Sequence, residues 1–302
     1  MSPIRIVTLL PAATEIVCAL GLRESLFGRS HECDFPADVA GLPALTRARV
    51  DSALPSERLD QEVRRILADR LPLYMLDSAR LAALAPDVVV TQEACEVCAV
   101  SYDQVVSSLK RTAYRAAVVS LKPTRLGDVL SDVRTVAGAC GVPDRGARLE
   151  AEMRARLEAV AAGWSAGARP RVAVVEWLSP LMLAGHWVPE TVEAAGGVAV
   201  GPMAGVPSRY ASWDELRSLR PDAVVVAPCG FDLARTQAEA EPWLPVLLGL
   251  ARRVVLVDGN AYFNRPGPRI VEAVETLAAW LRGEPVPPER GRALEAGALS
   301  PT

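Results

Sequence analysis

Two near-copies of one phrase constrain the fold of this chain more than any other feature. They are Leu81-Ala-Ala-Leu-Ala-Pro-Asp-Val-Val-Val90 and Leu216-Arg-Ser-Leu-Arg-Pro-Asp-Ala-Val-Val225, 135 positions apart. Each reads as the last turn of a helix, a Pro-Asp corner and a buried strand. Pro86 and Pro221 carry no amide hydrogen and push the residue before them out of the helical region. The β-branched runs that follow suit a parallel strand covered on both faces. Two copies therefore predict an α/β protein of two lobes with parallel sheets, with a ligand cleft between them, because clefts at domain interfaces are where sizeable ligands usually sit.

A chain of 302 residues can hold two such lobes, each with its own core. The 33 basic and 36 acidic residues are nearly balanced and form no basic run long enough to track phosphates, which argues against nucleic acid as a partner. Residues 1–11 carry no charged leader and no apolar stretch long enough to cross a bilayer, so they read as the first strand of the fold. This predicts a cytoplasmic protein without membrane insertion; a signal upstream of Met1 would instead make it periplasmic. In a reducing compartment the cysteines at 18, 33, 95, 98, 140 and 229 read as core, metal or redox residues before disulfides.

The pattern places an N-terminal lobe over residues 1–124, a connecting backbone helix over 125–165, a C-terminal lobe over 166–283 and a flexible tail over 284–302. In the first lobe, Arg5 to Leu10 is a strand and Ala12 to Leu20 a helix ended by Gly21. His31 to Pro55, rich in Pro, Asp and Arg, reads as a long loop with one short strand near Leu45. From Arg125 to Ala162 apolar residues recur at helical spacing, predicting one or two long helices. The second lobe opens with a strand from Val172, and its last helix runs from Pro268 to Arg282, with Pro268 suited to the first turn.

Five unusual strings follow predicted strands: His31-Glu-Cys-Asp-Phe-Pro36, Thr91-Gln-Glu-Ala-Cys-Glu-Val-Cys98, Gly185-His-Trp-Val-Pro-Glu190, Pro228-Cys-Gly-Phe-Asp232 and the stretch from Asp258 to Arg269. The carboxyl ends of strands line the crevice of an open α/β sheet, so these strings are expected to converge. They supply aromatic faces (Trp187, Tyr262, Phe263), amides and a cation, which suit a large planar ligand with amide or carboxylate arms. His31, Cys33, Cys95 and Cys98 together could hold zinc or an iron–sulfur cluster if the two loops meet. His186, beside Trp187, is placed to offer a ring nitrogen to a ligand's metal centre or amide. Asn264 and Arg265 sit in a Gly- and Pro-flanked loop of the kind that carries binding groups. No serine-hydrolase elbow, H-E-x-x-H, P-loop or G-x-G-x-x-G motif is present, so no enzymatic chemistry is indicated.

The opening Arg5-Ile-Val-Thr-Leu-Leu-Pro-Ala-Ala-Thr-Glu15, its apolar helix ending at Leu20-Gly21, the repeated Pro-Asp phrase and the long central helix resemble the cobalamin and iron-siderophore substrate-binding proteins of ABC transporters. These have the class III periplasmic-binding-protein fold. The longer strings are similar to those of a cobalamin-binding subgroup. The resemblance implies a binding protein, not an enzyme, that encloses cobalamin or a related corrinoid for uptake or intracellular handling, with a transporter permease as a further partner. It implies ligand contacts from Pro11, His31, Gln92, Trp187, Phe231, Tyr262 and Arg265. With His186, Phe263 and Asn264 these complete the expected ligand-binding set. The alternative is a metal-dependent enzyme or metal-binding protein using His31, Cys33, Cys95 and Cys98.

Overall fold

A computed structural model describes residues 4–92, 100–111, 115–164, 167 and 169–295. The chain divides into two compact units. Unit 1 comprises Met1–Leu54, Arg58–Pro123 and Gly127–Glu152; unit 2 comprises Pro55–Glu57, Thr124–Leu126 and Met153–Thr302.

The first part of the chain runs β1 (Ile6–Thr8), α1 (Pro11–Ala19), β2 (Leu26–Gly28), β3 (Thr46–Ala48), α2 (Ser56–Ala68), β4 (Tyr74–Leu76), α3 (Ser78–Leu84), β5 (Val88–Gln92), α4 (Tyr102–Arg111) and β6 (Ala117–Leu121). Strands β2-β1-β5-β6 form a parallel sheet in that order, in register Ile6 with Val88 and Val88 with Ala117. A separate antiparallel pair, β3-β4, folds the long loop back on itself. The predicted helical stretch is two helices, α5 (Leu126–Ala139) and α6 (Pro143–Ala162). They break at Gly141, whose φ of 73° only glycine adopts without strain, followed by Pro143 at the start of the next helix.

The second part runs β7 (Arg171–Leu178), β8 (Leu181–Leu183), α7 (Val188–Ala194), β9 (Val198–Ala199), β10 (Arg209–Tyr210), α8 (Trp213–Ser218), β11 (Ala223–Val226), α9 (Leu233–Ala240), α10 (Leu244–Leu250), β12 (Arg253–Val257), α11 (Ile270–Leu281) and β13 (Gly291–Glu295). Its sheet has the order β10-β8-β7-β11-β12-β13, with β9 also on β7. The centre (β7, β11, β12) is parallel and the edges are antiparallel. The flexible tail expected over 284–302 is corrected in its described part: β13 pairs along the whole of β12, from Val257 with Gly291 to Arg253 with Glu295. Its five residues carry no clear alternation, so no strand signal is legible there.

The repeated phrase builds the same clasp twice. Asp87 Oδ2 accepts the backbone N–H of Arg5 at 2.8 Å, and Asp222 Oδ2 that of Arg171 at 2.8 Å. In return the Asp87 and Asp222 amides donate to the Arg5 and Arg171 carbonyls, each at 2.8 Å. The guanidinium of Arg5 caps the α3 carbonyl of Leu84 (2.6 Å), and that of Arg171 caps Leu219 after α8 (2.7 Å). Both helices end in a left-handed residue, Ala85 and Arg220, each at φ 45°, so the proline displaces its neighbour into that region rather than into an extended one. Cutting the carboxylate with Asp222→Ala leaves the Arg171 amide without its partner. A loss of about 1–3 kcal/mol is expected, read as a lower urea midpoint at unchanged slope, with Asp87→Ala behaving alike in unit 1.

Candidate functional site

In unit 2 three of the singled-out strings meet at the carboxyl ends of β8, β11 and β12, and the bonds that join them are specific. The Trp187 indole N–H donates to the Phe263 carbonyl (2.8 Å), and the Asn264 side-chain amide to the Ala227 carbonyl (3.0 Å). The Asn260 N–H donates to the Phe231 carbonyl (3.0 Å). Residues Gly259–Phe263 form a π-helical turn started by Asp258, whose Oδ1 accepts the Ala261 N–H at 2.7 Å. Such wide turns recur at functional sites. A Cβ at Gly259 would lie 2.4 Å from the Pro228 carbonyl oxygen, so the two loops touch backbone to backbone. Burial outweighs the bond from Ala261 and pushes the Asp258 carboxyl up from its ordinary range.

His186 is held in an unusual way. Its φ is 51°, a conformation costly for a residue with a side chain. Its N–H donates to Val206 O at 2.6 Å, and its carbonyl accepts from the Gly205 N–H at 3.0 Å. The preceding Gly185 N–H donates to Ser208 Oγ (3.0 Å), and that hydroxyl donates to Glu176. The Glu176 carboxyl is pushed up by burial, partly opposed by the Ser208 bond. The imidazole stacks on Trp187 (centroids 5.7 Å, 26°), and burial lowers its pKa. The Arg269 and Arg290 guanidiniums each lie 5.6 Å from the Tyr262 ring centroid.

The remaining predicted residues of unit 2 are placed differently. Phe231 and Phe263 are 1% and 3% exposed, so their rings are core rather than open faces. Phe231 packs on Trp177 (4.9 Å) and lies under the Arg235 guanidinium (3.6 Å). Arg265 is buried, and its Nη2 donates to Asn260 Oδ1 at 3.0 Å.

In unit 1, Pro11 opens α1 directly after β1, and Gln92 is the buried last residue of β5. His31 follows β2. Its Nδ1 lies 2.7 Å from Thr46 Oγ1, which also accepts the His31 N–H at 3.0 Å and lies 2.9 Å from Ser30 Oγ. The ring packs at 5.6 Å on Tyr74, whose hydroxyl donates to Glu32 Oε1 (2.8 Å). Burial first, and then the nearby Arg29 charge, lower the imidazole pKa. Cys33 is buried and takes a hydrogen bond from Thr14 Oγ1 at 2.9 Å. Cys95 and Cys98 lie outside the described residues, and among the described residues no group of three or more His, Cys, Asp or Glu is placed to hold a metal ion.

Ser30, Thr46, Glu176 and Ser208 were not singled out from the sequence. They are hydroxyls and a carboxyl in unremarkable local contexts; Ser30 adjoins His31 in the chain, and the fold brings the other three near the two histidines.

Loops on parallel sheets serve many functions, and the comparison with known families narrows the class. The chain belongs to the periplasmic binding protein family, whose model matches residues 6–241. Its members are substrate-binding proteins associated with ABC transporters, and their fold is the class III type. Among solved structures, the chain is similar to the periplasmic vitamin B12-binding protein BtuF of Vibrio cholerae (18% identity, TM-score 0.66, covering 92% of this chain and 96% of that one). It is similar also to a periplasmic heme-binding protein of Pseudomonas aeruginosa (22%, TM-score 0.69, 96% and 95%) and to the heme-binding protein RhuT of Roseiflexus sp. RS-1 (21%, TM-score 0.65, 93% and 99%). No curated protein sequence matches. The family's description is periplasmic and gives no support to the expected cytoplasmic location. Among the described residues no helix is long and apolar enough to cross a membrane.

Proposed function

We propose that this protein binds a tetrapyrrole-type ligand, with cobalamin or a related corrinoid as the leading candidate, and passes it to an ABC transporter permease. The observation that carries the reading is the bonded cluster of loops around His186, Trp187, Tyr262 and Asn264. Trp187 spends its indole N–H on the Phe263 carbonyl, which fixes the ring beside His186. The tyrosine and the flanking Arg269 and Arg290 suit the polar arms of such a ligand. The neutral-leaning His186 imidazole suits a metal centre. Support also comes from the similar structures, which are named for vitamin B12 and heme binding. The metal-dependent alternative is not favoured, because the family and the similar structures are those of binding proteins.

A spectral titration with aquocobalamin, hemin and a ferric chelate tests this. The visible bands of aquocobalamin are expected to shift on mixing, with half-saturation below about 10 μM, and Trp187→Ala is expected to weaken binding about tenfold or more. No spectral change and no calorimetric heat with any of the three at about 50 μM would overturn the reading.

A further inference from the structure

The hydrogens around His31 can be assigned by asking which arrangement leaves no buried hydroxyl unmet. Thr46 Oγ1 has three neighbours: the His31 N–H (3.0 Å), the His31 Nδ1 (2.7 Å) and Ser30 Oγ (2.9 Å). The backbone N–H can only donate, so it takes one acceptor position on Thr46. A threonine hydroxyl has one hydrogen to give and one acceptor position left. Two arrangements remain. In the first, Nδ1 carries the ring hydrogen and donates to Thr46, and Thr46 donates to Ser30. The Ser30 hydroxyl hydrogen then has nowhere to go among the described residues, although Ser30 is 2% exposed, because its other contact, the Glu32 N–H at 3.4 Å, is also a donor. In the second, Ser30 donates to Thr46, Thr46 donates to Nδ1, and every hydrogen in the buried cluster is used. Buried polar hydrogens are rarely left unpaired.

We propose that Thr46, donating to Nδ1 while Ser30 fills its remaining acceptor position, is a positioning residue that fixes His31 as its Nε2–H tautomer, making His31 a hydrogen-bond donor to a carboxylate or amide-carbonyl arm of the ligand rather than a metal ligand. Among the described residues Nε2 has no hydrogen-bond partner, and the ring is only half-buried, so that N–H is available to a ligand. The lowered affinity of the ring for a second proton keeps it a neutral donor at physiological pH. The inference removes His31 from the expected metal set. It also divides the two histidines: the ring nitrogens of His186 make no hydrogen bond among the described residues, so that imidazole is free to present a lone pair. The assignment of the ligand arm rests on the tetrapyrrole reading; the tautomer does not.

The chain has two histidines, so nitrogen NMR of the ligand-free protein resolves both rings. The His31 pattern is expected to show a protonated Nε2 and an unprotonated Nδ1. Thr46→Val, which removes the hydroxyl that donates to Nδ1, is expected to raise the Nδ1–H population, while Thr46→Ser, which keeps the hydroxyl, is expected to retain the wild-type pattern, and so is Ser30→Ala, which leaves Nδ1 as the acceptor for the Thr46 hydrogen. A wild-type ring protonated at Nδ1 overturns the proposal, whatever the ligand titration shows. With aquocobalamin and hemin as probes, His31→Phe is expected to weaken binding about tenfold while leaving the metal's axial-ligand bands unchanged. Loss of those bands overturns the donor role. Failure of both probes to bind, with the Nε2–H pattern present, overturns the tetrapyrrole reading and the ligand arm and leaves the tautomer standing.

Discussion

Replacing Gly185 by alanine is expected to weaken ligand binding by the unit 2 loops more than Trp187→Ala does. A Cβ there would sit 2.3 Å from Val206 O, 2.6 Å from Pro207 C and 2.7 Å from Ser208 N. All three are backbone atoms, so no rotamer change relieves the overlap and the 206–208 segment must move. That segment supplies Val206 O to the His186 N–H and Ser208 Oγ to the Gly185 N–H. Displacing it breaks both bonds and releases His186 from the left-handed conformation that aims its ring. We expect binding weaker by a factor of about 100 or more in a spectral titration, with about 2–4 kcal/mol lost in urea denaturation. Gly249→Ala is the control. Gly249 lies in α10 at an unstrained φ, and a Cβ there meets nothing within 4 Å, so the change is expected to be neutral or stabilising by up to about 1 kcal/mol. Unaltered binding by the Gly185 variant would show that the 206–208 segment does not hold the site.

Asp132→Asn is expected to change the pH dependence of stability. Asp132 lies on α5 at 9% exposure, with Oδ2 buried and without a hydrogen-bond partner. Burial, and then the Asp128 charge one turn earlier, push its pKa up from 3.8 to about 7. The folded state thus holds the proton more tightly than the unfolded chain. The stabilisation this gives is fully present below about pH 4 and is lost as pH rises through about 7. Asparagine keeps the shape and carries no charge, so the variant should match the wild type near pH 4 and exceed it at pH 8. A shift of this size sets a ceiling of about 4 kcal/mol on the difference. Urea denaturation at several pH values measures it; parallel wild-type and variant profiles would refute the assignment.

The parts of the fold legible in the sequence are those whose signal is a hard local rule. Pro86 and Pro221 end helices wherever they occur, and Val88 to Val90 and Val224 to Val226 have few alternatives to a covered strand. The helix read over Ala12 to Leu20 is observed as Pro11–Ala19. The edge strands β4, β9 and β10 were not legible, because two or three residues with mixed side chains carry no periodicity and are decided by the neighbour they pair with. The site was legible as loops but not as side-chain directions. Trp187 and Asn264 do join neighbouring strings, yet Phe231 and Phe263 turn inward, since an aromatic ring at a strand end is equally suited to a ligand or to the core. The segment that grips His186 from behind, Met203 to Ser208, announced nothing, because its contribution is made with carbonyls, amides and one serine hydroxyl.

Strand β13 gives the second unit a property its parallel core lacks alone. With five residues running against β12, the amides and carbonyls along that side of the sheet are taken up within the chain, and arginine and glutamate stand on the outer strand. A chain cut back to the end of α11 would expose Val254 and its neighbours as an open template for another polypeptide. The last described residues thus act as a guard against self-association, which an expression design that trims this terminus would forfeit.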